Sequence, residues 1–236
     1  VVDPAPSAAI LSLIGEAGAK HVTEAPSDLK AGILFLAVKP QLMEKVLPGL
    51  ASLVDPSTVV VSIAAGTTQA KIASFLGESA SVRAMPNTPA MVGRGITGAF
   101  ANSKVSEDQR TAVDELLKVS GPVVWVDSEG DIDSVTAVSG SGPAYVFYLV
   151  ECMAEAGRKL GLPEELAMRL ARETVAGAGE LLHQSSEPAS QLRKNVTSPG
   201  GTTAAALSVL MAENALQPIF DEAIAAARQR ARELSA

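Results

Sequence analysis

The first half of the chain alternates short apolar runs, rich in β-branched residues, with longer stretches whose apolar positions repeat every three or four residues. The short runs have the length and composition of buried strands, and the longer stretches have the periodicity of amphipathic helices. The predicted strands cover residues 33–38, 58–63, 81–85, 96–101 and 123–126. The predicted helices cover residues 7–18, 41–53, 68–76 and 107–119. This alternation predicts βαβ units, and therefore an α/β fold with a parallel sheet that carries helices on both faces.

The second half of the chain shows only helical periodicity. Its predicted helices cover residues 144–160, 164–182, 204–211 and 217–234. The first of these is apolar on nearly every side, so either a domain core or another subunit must bury it. We therefore predict an α/β domain over residues 1–127 and an all-helical domain, which forms a dimer interface, over residues 128–236.

Charge and composition narrow the possible partners. The chain has 236 residues and a net charge of −7, whereas nucleic-acid binding needs clustered Lys and Arg, so we expect no nucleic-acid partner. No apolar run approaches the roughly 18–20 residues of a membrane span, so we expect no membrane partner. The single cysteine excludes an internal disulfide and is typical of a reducing compartment, which indicates a cytoplasmic protein. Two histidines without a zinc-binding spacing predict no metal site.

Unusual residues follow three of the predicted strands. These are A-V-K-P at residues 37–40, I-A-A-G at residues 63–66 and M-P-N-T-P at residues 85–89. Each motif alone is explained by turn chemistry. An open α/β sheet binds its ligand at the carboxyl ends of its strands, so three such motifs at strand ends favour a ligand site.

The S-P-G-G-T-T motif at residues 198–203 combines a turn, two glycines and two threonine hydroxyls at the start of a predicted helix. The unpaired N–H groups and the dipole of a helix N-terminus favour an anion there, so the motif can hold a carboxylate without a charged side chain. The alternative is an ordinary helix cap with good turn chemistry.

A second helix start is predicted at S-G-S-G-P-A, residues 139–144. Pro143 suits the first helical position and Ser141 suits the cap, so the motif is either a well-formed helix start or another neutral terminus that faces the same ligand. It is not a nucleophile elbow, because neither serine lies between the two required glycines.

No other catalytic pattern is present in the sequence. It contains no Ser-His-Asp spacing, no phosphate-binding loop and no convincing acid–base pair of carboxylates, since Asp131 and Asp133 have the position of first-turn helix acids. The remaining chemistry consists of backbone amides, hydroxyls and glycines. Such a site suits hydride transfer, in which a cofactor performs the difficult step and the protein orients it.

Taken together and in this order, A-V-K-P, A-A-G, M-P-N-T-P, S-G-S-G-P-A and V-T-S-P-G-G-T-T resemble the pyrroline-5-carboxylate reductase family over essentially the whole chain. The resemblance implies reduction of 1-pyrroline-5-carboxylate to L-proline with NADPH or NADH, the last step of proline synthesis. It also implies a Rossmann-type domain followed by a helical domain that interlocks homodimers, which often assemble further into decamers.

The resemblance also implies roles for particular residues. The adenosine side and diphosphate approach of the cofactor would be lined by Ala37, Val38, Lys39 and Pro40. The nicotinamide half would be bordered by Ile63, Ala64 and Ala65, with Asn87 close by. The substrate carboxylate would be held by Ser198, Gly201, Thr202 and Thr203. Thr203 would be the catalytic residue, with its hydroxyl hydrogen-bonded to the ring nitrogen.

The sequence departs from the family pattern at its beginning. Family members start with a strand, a G-x-G-x-x-G/A turn and a helix, whereas Val1-Val2-Asp3 aligns with the second strand. The first strand of such a sheet is central, so we expect about 25–30 further residues, one strand–helix unit, upstream. Asp3 would bind the ribose 2′-hydroxyl, and no Lys or Arg follows in residues 4–10, so NADH is expected to be usable. The alternative is that Asp3 only starts the Asp-Pro turn.

Two other interpretations stay open. A β-hydroxyacid dehydrogenase would carry a catalytic lysine on the interdomain helix, where this chain has only Arg158 and Lys159 near the far end. A non-catalytic, dimer-forming module is favoured by the missing glycine-rich turn and disfavoured by the intact motif at residues 198–203.

Overall fold

The computed structural model describes residues 1–26 and 28–235 and divides the chain into two compact units. The sheet unit comprises Val1–Val135 together with the C-terminal residues from Ala231 onward, and the helical unit comprises Thr136–Arg230. The predicted boundary after Asp127 thus differs from the observed one after Val135. The reason is that the intervening helix packs on the sheet, where Asp133 forms a buried ion pair with Arg83.

The sheet unit contains a five-stranded sheet in the order β1-β2-β3-β4-β5. Its strands are β1 Ile33–Leu36, β2 Val59–Ser62, β3 Ala80–Met85, β4 Thr97–Ala101 and β5 Val123–Trp125. The first three strands are parallel, β4 is antiparallel to β3, and β5 is parallel to β4. β4 reverses because only a short 3₁₀ segment, Thr88–Val92, joins it to β3, and a parallel connection needs a longer crossover. The Rossmann-type α/β fold is confirmed, with one antiparallel pair that the sequence interpretation missed.

Helices and short 3₁₀ segments connect these strands. The helices are α1 Ala8–Glu16, α2 Met43–Val46, α3 Gln69–Leu76, α4 Glu107–Lys118 and α5 Asp131–Val135. The helix predicted over residues 41–53 is instead divided into a 3₁₀ segment Pro40–Leu42, then α2, then a 3₁₀ segment Leu47–Leu53. Pro48 explains this division, because proline lacks an N–H and its ring clashes with the preceding turn of an α-helix.

Two apolar clusters lie on the two faces of the sheet. Alternation along β2 sends Val60 into one cluster and Val59 and Val61 into the other. The first cluster includes Leu36, Met43, Leu47 and Ile72, and the second includes Val82, Val113 and Leu117. β2 is buried along its whole length, as expected of a parallel strand with both faces covered.

The helical unit begins with a π-helical turn, Thr136–Gly140. The helices that follow are α6 Gly142–Lys159, α7 Glu164–Gln184, α8 Ala189–Asn195, α9 Thr202–Leu210 and α10 Leu216–Ser235, of which the residues from Ala231 onward belong to the sheet unit. Helices α6 and α7 pack together, and Gly157 permits the close approach, since a Cβ there would lie 3.3 Å from the Cβ of Ala167. Across the described ranges, 1–26 and 28–235, no helix combines the length and the apolar character that crossing a bilayer requires.

Candidate active site

The loops after β1 and β2 lie side by side at one edge of the sheet. The N–H of Ile63 donates to the carbonyl of Leu36 at 3.1 Å, which joins the carboxyl ends of the two strands. In the first loop Ala37 and Lys39 are exposed, Val38 is half-buried, and Pro40 begins a 3₁₀ segment. The structure therefore brings the predicted residues of the two loops together.

The loop after β2 is built from small residues. The N–H of Ala64 donates to Ser62 Oγ at 3.3 Å, while Ala65 is exposed. Gly66 has a φ of +67°, in the left-handed region that favours glycine. A Cβ on Gly66 would also lie 2.9 Å from the Cβ of Leu234, so the backbone of α10 contacts this glycine directly.

Asn87 follows β3 and holds the connection to β4. Its side-chain Oδ1 accepts a hydrogen bond from the N–H of Ile96 at 3.0 Å, and its carbonyl accepts from Ala90 at 3.1 Å. Asn87 is half-buried at a strand end next to that of β2. Its predicted contact with the cofactor stays a prediction.

Asp3 lies beyond the short N-terminal bridge between Val2 and Val22. Its Oδ1 accepts a hydrogen bond from the N–H of Ala5 at 2.9 Å. This is the turn interaction that the alternative interpretation expects, and it occupies one of the two carboxylate oxygens. Ribose binding by Asp3 stays a prediction.

The motif at residues 198–203 forms a tight turn into α9. The N–H of Gly201 donates to the carbonyl of Ser198 at 3.1 Å, and Gly200 takes a φ of +70°. Gly201 is the N-cap residue of α9, and because it has no side chain it makes no capping hydrogen bond to the first N–H groups of the helix. A Cβ on Gly201 would lie 2.6 Å from Ser198 Oγ, so a larger residue at this position would displace the Ser198 hydroxyl.

The polar groups of this turn are available to a ligand. Within the described part of the chain, the hydroxyls of Ser198, Thr202 and Thr203 have no hydrogen-bond partner. Thr203 is half-buried, and the other two residues are exposed. The first N–H groups of a helix also lack an intrahelical acceptor. The turn therefore offers donors and a favourable dipole to an anion without any cationic side chain.

The S-G-S-G-P-A motif does start a helix, as predicted. Pro143 lies in its first turn, but Ser141 makes no side-chain cap. The reason is that Ser141 has helical backbone angles, with φ of −85° and ψ of −19°, and its N–H donates to Thr136 at 2.8 Å. The π-helical turn thus continues almost directly into α6.

The sequence interpretation missed a buried charge network. Arg83 on β3 is 3% exposed, and its guanidinium contacts Asp133 Oδ1 at 3.2 Å and Glu129 Oε1 at 3.4 Å. An arginine within an otherwise buried strand is a signal for such partners, because a buried charge is stable only when paired. The sequence alone identifies Asp133 only as an acidic residue in the first turn of a helix. The structure confirms that position and adds the ion pair with Arg83.

Metal ligands are not gathered in this structure: among residues 1–26 and 28–235, no three His, Cys, Asp or Glu side chains cluster to hold an ion.

Comparison with known proteins identifies the family. The sequence model described as pyrroline-5-carboxylate reductase dimerisation matches residues 129–234. The pyrroline-5-carboxylate reductase of Pseudomonas aeruginosa is 44% identical over 213 residues, which cover 90% of this chain and 77% of the relative. Among solved structures, a pyrroline-5-carboxylate reductase from Coxiella burnetii superposes with a TM-score of 0.88 and 40% identity, covering 98% of this chain and 86% of that one. The Plasmodium falciparum pyrroline carboxylate reductase with NADP bound gives a TM-score of 0.76 at 31% identity, covering 92% and 83%. The chain therefore belongs to the pyrroline-5-carboxylate reductase family.

Proposed function

We propose that this protein reduces 1-pyrroline-5-carboxylate to L-proline by hydride transfer from NADPH or NADH. Beyond the family assignment, the observation that supports this proposal most directly is the turn of residues 198–203. Its unpaired hydroxyls and helix N-terminus form an uncharged anion site, which suits the carboxylate of a small imino acid.

The residues at the strand ends fit a nicotinamide dinucleotide. Ala37 and Ala65 present small, exposed side chains on adjoining loops, so a flat ligand can approach the backbone there. When bound, NADPH or NADH supplies the hydride. Cofactor binding is assigned to Asp3, Ala37, Val38, Lys39, Pro40, Ile63, Ala64, Ala65 and Asn87. NADH is expected to be accepted as well as NADPH, because no cationic side chain follows Asp3 in residues 4–10.

The protein's own residues chiefly orient the substrate. Ser198, Gly201 and Thr202 hold the carboxylate through hydroxyls and backbone N–H groups, which fixes the ring at its acidic end. The half-buried Thr203 hydroxyl can both donate and accept, and it hydrogen-bonds the ring nitrogen as the charge there changes. Alignment of this kind can contribute up to about 7–11 kcal/mol to lowering a barrier.

We further propose that the protein works in the cytoplasm as a homodimer, which assembles into a decamer of five dimers. The sheet unit would bind the cofactor, and the helical unit would bind substrate and form the dimer. The match to a dimerisation model over residues 129–234 supports the dimer. So do the exposed apolar side chains of α6, which are Val146, Phe147, Tyr148, Leu149 and Met153. The decamer rests on the family resemblance, and the single cysteine, Cys152, supports a reducing compartment.

The test is the loss of reduced nicotinamide absorbance with pyrroline-5-carboxylate, for the wild type and two variants. Removing the hydroxyl in Thr203→Ala should lower kcat about 10²-fold, the usual effect of losing one donor at a reacting centre. The Kd of NADPH should change much less. Thr203→Ser keeps the hydroxyl and is the matched control. An unchanged kcat in Thr203→Ala would exclude the role of Thr203, and a folded dimer without reductase activity would favour the non-catalytic module.

A further inference from the structure

The loop after β2 carries only small side chains at its centre, between Ile63, which packs against the core, and the buried Thr67. Ala64, Ala65 and Gly66 supply at most one methyl group each, and Gly66 has the greatest backbone freedom of any residue. An enzyme that places a flat ring against such a loop must fix the loop from outside. Besides the hydrogen bond from Ile63 to Leu36, the structure shows three further attachments, all within the sheet unit.

The first two attachments hold the ends of the loop. At its start, Ser62 Oγ accepts a hydrogen bond from the N–H of Ala64 at 3.3 Å. At its end, Glu129 Oε1 accepts from the N–H of Gln69, the first residue of α3, at 2.8 Å. The same Glu129 oxygen accepts a hydrogen bond from Arg83 Nη1 at 3.4 Å. Glu129 therefore links the end of the loop to the buried guanidinium on β3.

The third attachment comes from the last turn of α10. The Cα of Gly66 faces the Cβ and carbonyl of Leu234, which would lie 2.9 and 3.0 Å from an added Cβ. The next residue, Ser235, receives a hydrogen bond from Arg83 Nη2 at 3.1 Å, and the hydroxyl of Ser235 donates to the Ala231 carbonyl at 3.0 Å. Arg83 thus holds both the C-terminal turn behind the loop and the carboxylate at the end of the loop.

We propose that Arg83, with Glu129 and Ser235, is a positioning residue that sets the affinity for the nicotinamide cofactor without touching it. This inference rests on the proposed function, because it takes residues 63–65 as the border of the nicotinamide half. Arg83 stabilises one conformation of the loop after β2. The apparent affinity for the cofactor falls in proportion to the fraction of molecules whose loop adopts another conformation. None of these attachments is made by a residue of the turn at 198–203.

Ser235→Ala is the primary test, because it removes one hydroxyl at a partly exposed position and leaves the core intact. Ser74→Ala is the matched control, because the hydroxyl of the exposed Ser74, like that of Ser235, donates to a backbone carbonyl of its own helix, that of Lys71 at 2.7 Å. Ser235 Oγ differs in that it also lies 3.1 Å from Arg83 Nη2 and 3.4 Å from Asp133 Oδ1. Ser235→Thr, which keeps the hydroxyl, is the rescue variant. Glu129→Gln provides a second test, because it retains an acceptor for Gln69 while removing the charge that faces Arg83.

We expect Ser235→Ala to raise the Kd of NADPH about fivefold, at the lower end of typical coupling between sites, and Glu129→Gln to raise it by a similar factor. Nucleotide binding is measured by titration calorimetry and Tm by calorimetric scan. The kcat at saturating NADPH and the KM for pyrroline-5-carboxylate should change less than about twofold, because the loop is held in place once the cofactor is bound. Ser74→Ala and Ser235→Thr should retain the wild-type Kd.

Two results would overturn the proposal. If Ser235→Ala and Glu129→Gln lower Tm but bind NADPH like Ser74→Ala, the network is structural only, while wild-type reductase activity still supports the proposed function. If the wild-type protein neither binds NADPH nor reduces pyrroline-5-carboxylate, the proposed function fails and the positioning role fails with it.

Discussion

The two units bury very different residues. The sheet unit encloses two clusters of Leu, Val, Ile and Met side chains, one on each face of the sheet. In the helical unit, the buried hydrophobic residues of the described chain are all alanines: Ala137, Ala154, Ala167 and Ala171. Large side chains of its helices, such as Phe147 at 63% and Leu181 at 64% exposure, face outward.

This contrast separates a core of large apolar side chains from one built of alanines. Small residues between α6 and α7 allow the helices to approach closely, as Gly157 and Ala167 do, but alanines bury little apolar area. Large apolar side chains on the outside are a marker of an interface. We therefore expect the sheet unit to depend mainly on its own two clusters for stability, and the helical unit to depend also on association.

The largest expected effect comes from the buried charge of the sheet unit. Arg83→Met leaves Asp133 and Glu129 facing an uncharged side chain, and breaking a buried ion pair typically destabilises a protein by about 3–5 kcal/mol. Urea unfolding measures the loss. The double variant Arg83→Met/Asp133→Leu removes both charges and should recover much of it. Equal stability of Arg83→Met and wild type would show that the network contributes nothing to the core.

A matched pair of leucine truncations compares the two units directly. Leu47→Ala removes a fully buried side chain from the sheet unit and should cost about 2–5 kcal/mol at every protein concentration. Leu181→Ala removes a side chain that is exposed within one subunit. Its effect on Tm should appear only where it weakens association, and should therefore vary with protein concentration. A concentration-independent loss in Leu181→Ala would contradict the comparison.

A charge on the outer face of α6 tests association itself. Phe147→Glu should shift the protein from dimer to monomer in analytical ultracentrifugation, because a dimer would have to bury the new carboxylate. The sheet unit should stay folded, as judged by the near-ultraviolet signal of Trp125, which lies on β5. Ser74→Glu, on the exposed face of α3, is the control and should remain dimeric. A dimeric Phe147→Glu would place the interface elsewhere.

The sequence predicted the elements of the sheet unit well because its signals are local. The β-branched runs gave five strands near their observed positions, and the S-P-G-G-T-T motif was correctly placed at a helix start. The long-range features were not predictable in the same way. Arg83 meets Asp133 across 50 residues and Ser235 across 152, and no spacing pattern encodes such pairs. The reversal of β4 likewise depends on the short connection after β3, which the strand pattern alone does not reveal.

The smallest expected effect comes from an exposed ion pair on the helical unit, which contrasts with the buried ion pairs of Arg83 in the sheet unit. On the exposed side of α6, Glu155 accepts hydrogen bonds from Arg158 Nε at 2.7 Å and from Arg158 Nη2 at 2.9 Å. These hydrogen bonds lower the pKa of Glu155 from 4.5 to about 2.

Because the folded pKa of Glu155 lies below its usual value, the pair stabilises the folded state above about pH 4.5, and this contribution is lost as the pH falls toward 2. Water and salt screen such an exposed pair, so Glu155→Gln should lower Tm by only about 1 °C at pH 7 and low salt. The difference from wild type should vanish near pH 2 or in high salt. A decrease in Tm comparable to that of Arg83→Met would mean that association buries this pair, which would place Glu155 and Arg158 inside the interface between subunits.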